Sequence, residues 1–88
     1  MSEPFDDVAP TDTDFTNYDR EHVLLYICLL DRKDRRIDWR ETVRAFFGID
    51  FDREPERARR VYDSHLERAA WLTKSPHFAL VRSFAYYL

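Results

Sequence analysis

The sequence predicts an all-α fold, a small helix-turn-helix-like bundle of four helices with a disordered N-terminal tail. Hydrophobic residues recur at steps of three and four along most of the chain, which is the spacing of one helix face. No stretch alternates long enough to form a strand, and no turn dipeptide separates two β-rich runs. With 88 residues, of which 44% are hydrophobic, the chain has enough material for one small domain with one core.

Residues 1–16 are predicted to be an acidic, flexible tail. They contain five acidic residues, two prolines and no basic residue, and they lack a helical stripe. Phe5 and Phe15 interrupt this polar pattern. The alternative is therefore that the tail docks on the domain as a cover over the arginine side of its longest helix. Residues 17–88 are assigned to the helical domain, which holds 12 acidic and 14 basic residues.

The first two predicted helices form the support of the domain. The first begins near Asp19 as N-cap and continues to Leu30, and it is apolar almost all round, so it should be the most buried helix. The charged stretch 31–36 is expected to end it. The second helix runs from Trp39 to Phe47, between a capping box at 38–41 and Gly48, which suits a left-handed helix end.

The longest predicted helix spans Pro55 to Thr73, because proline suits the first helical position and the apolar spacing continues to the end. His65 lies on its packing stripe and is expected to be a core or boundary histidine. A last helix is predicted after Ser75 and Pro76. The aromatic and aliphatic side chains assigned to the core are Trp39, Phe46, Tyr62, Leu66 and Trp71.

The residue pattern argues against catalysis, cofactors and metals. Cys28 is the single cysteine and has no partner for a disulfide bond or a metal site. The three histidines are scattered. The consecutive residues Asp63, Ser64 and His65 are the types found in a catalytic triad, but neighbours on a helix point about 100° apart, so they cannot form one. The longest apolar run has eight residues, and the N-terminus lacks the pattern of a signal peptide. We therefore expect a cytoplasmic, membrane-free protein that is not an enzyme and needs no cofactor.

Two helices followed by a longer exposed helix is the plan of a helix-turn-helix domain, although many three-helix bundles share it. The seven-residue connector at 48–54 is longer than the usual three or four residues. Acidic residues alternate with the arginines around the start of the long helix, and the domain lacks a clearly basic face. DNA binding is therefore expected to be weak or absent.

The stretch from Ile37 to Thr73 resembles the small helix-turn-helix variant domain found in proteins of proteobacterial integrative and conjugative elements. The resemblance rests on the motifs DWRE at 38–41, GID at 48–50, PERARR at 55–60 and SHL at 64–66, followed by Arg68, Ala69 and Trp71. In that family, a stand-alone domain implies an antiactivator. Its implied partners are transcriptional activators, namely a LuxR-type quorum-sensing regulator and the activator of element excision. The family is expected to follow the tryptophan with a glycine–tyrosine step, from which Ser75 to Phe78 depart.

Three functions remain open at this point. The first is an antiactivator that is a monomer and binds activators through the outward face of the long helix. The second is a DNA-binding repressor or excisionase-like factor, which would have to dimerise for specific binding. The third is a structural subunit of a larger assembly. For the first, the expected partner-binding residues are Arg53, Arg57, Arg60, Ser64, Glu67 and Arg68.

Overall fold

The structure is a computed structural model that describes residues 4–74. This part of the chain contains four helices, and it contains no strand: α1 is Asn17–Glu21, α2 is Val23–Asp34, α3 is Trp39–Phe47 and α4 is Pro55–Thr73. Helix α4 packs against both α2 and α3, and α2 also contacts α3. The all-α bundle predicted from the sequence is thereby confirmed. The last predicted helix, after Ser75 and Pro76, lies outside the described residues.

The predicted first helix is two helices, α1 and α2, separated at His22. Thr16, not Asp19, is the N-cap of α1. The Thr16 hydroxyl accepts a hydrogen bond from the backbone N–H of Asp19 at 3.1 Å, and the Asp19 carboxylate accepts one from the backbone N–H of Thr16 at 2.9 Å. This is a capping box, which satisfies two otherwise unpaired donors. Asp19 therefore lies inside the first turn of α1, where its carboxylate is available to another helix.

Helix α2 also continues beyond its predicted end at Leu30. The charged residues that follow form its last turn, because no residue between Leu30 and Asp34 breaks a helix. The backbone N–H of Arg35 donates to the carbonyl of Asp31 at 3.0 Å, and their side chains form an exposed ion pair at 3.3 Å. The chain then turns at Arg36, which has a φ of 59°.

The predicted ends of α3 and α4 are confirmed. The Asp38 carboxylate caps α3 by accepting a hydrogen bond from the backbone N–H of Arg40 at 2.9 Å. Within residues 4–74 the Glu41 side chain does not complete the predicted capping box. Gly48 ends the helix in the left-handed conformation, with a φ of 67°. Pro55 begins α4, at a position where a missing N–H costs no helical hydrogen bond.

The main core lies between α2, α3 and α4. Tyr62 and His65 are buried as predicted, and Trp39, Phe46 and Leu66 are partly buried against this core. A smaller cluster joins Tyr26 on α2 to Ala69 and Leu72 at the end of α4. The buried residues of the main core are Leu25, Leu29, Val43, Phe47, Ile49, Ala58, Val61 and Tyr62.

The prediction that Trp71 belongs to the core is wrong. Its side chain is 36% exposed, and the guanidinium carbon of Arg68 lies 4.4 Å from its ring centroid. Ala69 and Leu72 contribute the buried surface of this part of α4. Neighbouring helical positions point in different directions, so the indole is left at the edge of the bundle.

Residues 4–16, which we call the N-terminal segment, lie against the domain. They do not form the free tail that was the first expectation; the docked cover was its alternative. Ala9 is 3% exposed, Phe5 packs against the main core, and Phe15 packs against the smaller cluster. Composition pointed to a tail because the segment is acidic and lacks periodicity. Composition does not show that α4 carries a row of arginines, and in the structure the acids and backbone carbonyls of the segment contact these arginines.

No helix formed by residues 4–74 combines the length and the hydropathy that a bilayer crossing requires.

Candidate partner-binding site

The six residues predicted to bind a partner differ widely in their accessibility. Arg53, Arg60 and Glu67 are exposed, and they remain candidates for contact with another molecule. Arg57 and Ser64 are only partly exposed, because the N-terminal segment crosses α4 at their positions. Arg68 is buried. The predicted outward face of α4 is therefore partly covered by the chain itself.

Asp7 holds the N-terminal segment to the first half of α4. Its carboxylate lies 3.1 Å from the guanidinium of Arg57 and 3.5 Å from that of Arg60. Glu54, at the start of the helix, adds a second acid 3.3 Å from Arg57. The hydrogen bond to Asp7 raises the pKa of the Arg57 guanidinium. These arginines are thus already paired with carboxylates of the same chain.

Ser64 fixes the backbone of the N-terminal segment one turn further along α4. Its hydroxyl oxygen accepts a hydrogen bond from the backbone N–H of Ala9 at 3.1 Å. The hydroxyl proton has two carbonyl acceptors within reach, Val61 at 3.2 Å and Asp7 at 3.4 Å. Ser64 is therefore a contact to an extended peptide backbone.

Arg68 is a structural residue and not part of an outward face, which corrects its assignment as a partner-binding residue. Only 4% of it is exposed, and its guanidinium lies 2.6 Å from the carboxylate of Asp19 in α1. It also donates hydrogen bonds to the backbone carbonyls of Asp12 at 2.5 Å and Asp14 at 2.9 Å. One side chain thus connects α4, α1 and the N-terminal segment.

The acceptor that the sequence did not identify is Asp19, which is fully buried. Burial alone would raise the pKa of this carboxyl, but hydrogen bonds from Arg68, Thr16 and Tyr26 outweigh burial and hold the pKa below its usual value. The Tyr26 hydroxyl donates to Asp19 at 2.8 Å. Burial, with the nearby Asp19 charge, raises the pKa of Tyr26. Asp19 is 49 residues from Arg68, so no local pattern could reveal the pair.

A second buried polar group, His65, lies beneath the start of the N-terminal segment. Its Nδ1 is 2.8 Å from the backbone carbonyl of Val61, which can only accept, so this nitrogen carries the proton. Its Nε2 then accepts a hydrogen bond from the Tyr18 hydroxyl at 2.5 Å. Tyr18 in turn accepts the backbone N–H of Asp6 at 3.0 Å. The chain of hydrogen bonds links α4 through α1 to the segment.

The proximity of Ser64 and His65 does not create a nucleophile. The Ser64 oxygen is 3.3 Å from His65 Nδ1, but the proton on that nitrogen is directed to the carbonyl of Val61. Nδ1 therefore cannot accept the proton of the serine hydroxyl, which is what a general base must do. Among residues 4–74, no group of three or more histidine, cysteine or acidic side chains is arranged to hold a metal ion.

An open cleft remains beside the covered face. It has a volume of about 360 Å³ and lies between the N-terminal segment and the second half of α4. Val8 and Trp71, which are 50% and 36% exposed, contribute apolar surface, and Glu67 lies on the same side. The surface of α4 is therefore divided into a covered half with paired arginines and an accessible half with an aromatic side chain.

These features define a small all-α bundle whose longest helix is covered by its own acidic N-terminal segment. Comparison with known proteins found no matching family model, no similar curated protein and no similar solved structure.

Proposed function

We propose that this protein is a regulator that acts by protein–protein interaction, as an antiactivator that binds and disables transcriptional activators. The partners that the sequence resemblance implies are a LuxR-type quorum-sensing regulator and an activator of element excision. In this proposal the protein works in the cytoplasm, as a monomer, without a cofactor and without catalysis. The contact surface is the accessible part of the α4 face, with Arg60 and Glu67, together with Arg53 just before the helix.

One observation carries the proposal: the acidic N-terminal segment lies across the helix that a helix-turn-helix protein would present to DNA. Asp7 neutralises Arg57 and Arg60, and Asp19 neutralises Arg68. The segment also brings Asp6, Asp12 and Asp14 to this side of the domain. DNA phosphates would meet acids where a DNA-binding protein needs free arginine and lysine side chains. A mixed-charge face next to exposed apolar side chains suits a protein partner.

The first experiment co-expresses the tagged protein with each of the two activators and measures co-purification. We expect capture of an activator by the wild-type chain. Reversing the charge of an accessible α4 residue, Glu67→Arg, should weaken the capture without changing the thermal melt. Arg35→Glu is the matched control, because it reverses one exposed charge at the end of α2. Failure to capture either activator would contradict the antiactivator proposal.

The second experiment measures binding to mixed-sequence duplex DNA by fluorescence anisotropy at several salt concentrations. A surface whose arginines are already paired releases few counterions from DNA, so we expect no binding at moderate salt. Tight binding with a steep salt dependence would instead favour the alternative function, a DNA-binding repressor or excisionase-like factor.

A further inference from the structure

The N-terminal segment lies in a shallow groove on α4, and its contacts there show what kind of ligand this groove can bind. We propose that this groove is the docking site for an extended acidic segment of a partner protein, and that residues 5–9 occupy it as an internal competitor. We call it the α4 groove, and its residues are Phe47, Arg57, Arg60, Ser64 and His65. The inference rests on the proposed function, because it specifies the part of the partner that is bound.

The first subsite takes an aromatic side chain. The ring of Phe5 meets that of Phe47 edge to face, with centroids 4.9 Å apart, and lies 6.5 Å from the ring of His65. The guanidinium carbon of Arg57 is 5.9 Å from the Phe5 centroid, within the range of a cation–π contact. Aromatic pairs prefer this edge-to-face arrangement, so the subsite favours a flat ring over an aliphatic side chain.

The second subsite takes a carboxylate two residues later. Asp7 lies between Arg57 and Arg60, and both carboxylate oxygens are within 3.1 Å of Nε of Arg57. Arginine is suited to this task because its planar N–H groups match the two oxygens of a carboxylate. The partner segment is therefore expected to carry an aromatic residue, one intervening residue and then an aspartate or glutamate.

The third contact requires a peptide backbone. Ser64 accepts the N–H of Ala9 and lies 3.4 Å from the carbonyl of Asp7, so it contacts main-chain groups on both sides of Val8. A nucleic acid can supply negative charge and flat rings, but its N–H and carbonyl groups lie on the bases and do not repeat along its backbone as the groups on either side of Val8 do. The occupant to which the groove commits is thus an acidic polypeptide segment.

Residues 5–9 are held by the packing of Phe5 and Ala9 and by an exposed ion pair of Asp7, whereas the residues that follow are bonded to a buried side chain. Arg57 and Asp7 are 38% and 41% exposed in their side chains, and ion pairs with that much contact with water are weak. In contrast, Asp12 and Asp14 are bonded to buried Arg68, and Thr16 caps α1. The first part of the segment can therefore leave the groove while the second part remains in place.

An internal competitor that is tethered a few residues away has a high effective concentration, of the order of millimolar for short flexible linkers. It should therefore mask the groove from an external peptide. Disabling the internal copy should raise the affinity for an added peptide by at least about tenfold. This difference separates a true binding groove from a segment that merely completes the core.

The test uses a fluorescein-labelled peptide with the sequence of residues 4–10, PFDDVAP, and measures its anisotropy with the full chain. The double variant Phe5→Ser with Asp7→Ser should bind the peptide more tightly than wild type does. The single variant Asp7→Asn, which loses the carboxylate contact but retains the Phe5 side chain, should show a smaller gain. A peptide carrying Asp7→Asn should bind the double variant about two- to fivefold more weakly than the original peptide, which is the size expected for an ion pair with this exposure. Adding Arg57→Glu to the double variant should abolish binding, and adding Arg35→Glu should not.

Three results would overturn the inference. The peptide could bind none of the variants although circular dichroism shows them to be folded, or Arg57→Glu could leave its binding unchanged. The double variant could also bind duplex DNA more tightly than it binds the peptide. The activators are not used in this test, so its outcome is independent of the capture experiment. Peptide binding without activator capture would refute the proposed function alone, and activator capture without peptide binding would refute the groove alone.

Discussion

The guanidinium of Arg68 and the carboxylate of Asp19 form an ion pair at 2.6 Å, with side chains that are 3% and 0% exposed. The pair joins the second half of α4 to α1. Both carboxylate oxygens of Asp19 also accept a further hydrogen bond, one from the Tyr26 hydroxyl and the other from the backbone N–H of Thr16. A buried charge is tolerated only when it is paired and hydrogen-bonded in this way. Arg68 and Asp19 therefore govern stability more than recognition.

Removing one member of this pair should strongly destabilise the protein. Arg68→Met leaves the Asp19 charge buried without its partner, and we expect a loss of about 3–5 kcal/mol in the free energy of unfolding. The double variant Asp19→Leu with Arg68→Met should lose less than the sum of the two single variants, because no uncompensated charge remains. Urea denaturation of the four proteins measures this coupling. Arg60→Ala, which removes a half-exposed pair, should cost no more than about 1 kcal/mol.

The hydroxyl of Tyr18 should contribute to stability through His65. Tyr18→Phe removes the donor to the buried Nε2 of His65 and the acceptor for the backbone N–H of Asp6. An unpaired buried polar group costs about 1–3 kcal/mol, and we expect a loss of that size in thermal or urea unfolding. Tyr62→Phe is the matched control, because the Tyr62 hydroxyl makes no hydrogen bond within residues 4–74. Equal losses in the two variants would contradict the role assigned to the Tyr18 hydroxyl.

Acid should destabilise the protein through His65 before it affects the carboxylates. Burial lowers the pKa of His65 from its usual 6.5 in the folded chain. The unfolded chain then binds a proton near pH 6.5 that the folded chain does not bind, so the free energy of unfolding falls as the pH drops below about 6.5. His65→Phe removes this contribution. Urea denaturation at pH 7.5, 6.5 and 5.5 should show a smaller decline for the variant than for the wild type, and parallel curves would refute the assignment.

The left-handed end of α3 should depend on the backbone of Gly48 and not on the space around it. A side chain at this position would meet no heavy atom within 4 Å, but the φ of 67° is unfavourable for residues with a Cβ. Gly48→Ala should therefore cost about 1–2 kcal/mol. Gly48→Asn should cost less, because asparagine adopts this conformation more readily. A higher melting temperature for Gly48→Ala than for Gly48→Asn would show that the left-handed backbone does not determine the cost of substitution at this position.

The sequence by itself determined the all-α class and the bounds of α3 and α4, because the responsible signals are local. The Asp38 cap, Gly48 and Pro55 each act on neighbouring backbone groups within a turn or two. The covering of the α4 face was available only as an alternative. Charge counting identified five acids in residues 1–16 but could not say where they lie.

Only the tertiary structure shows which arginines are paired with acids of the same chain. Asp7 and Arg57 are 50 residues apart, and Asp19 and Arg68 are 49 residues apart. Helical spacing places Arg57, Arg60 and Arg68 on one polar side of α4, yet it does not reveal what approaches that side. Burial depends on the packing of distant segments, and the sequence pattern describes only the neighbours along one helix. For this reason the sequence pattern places Arg68 on a binding face, whereas the structure shows it in a buried ion pair with Asp19.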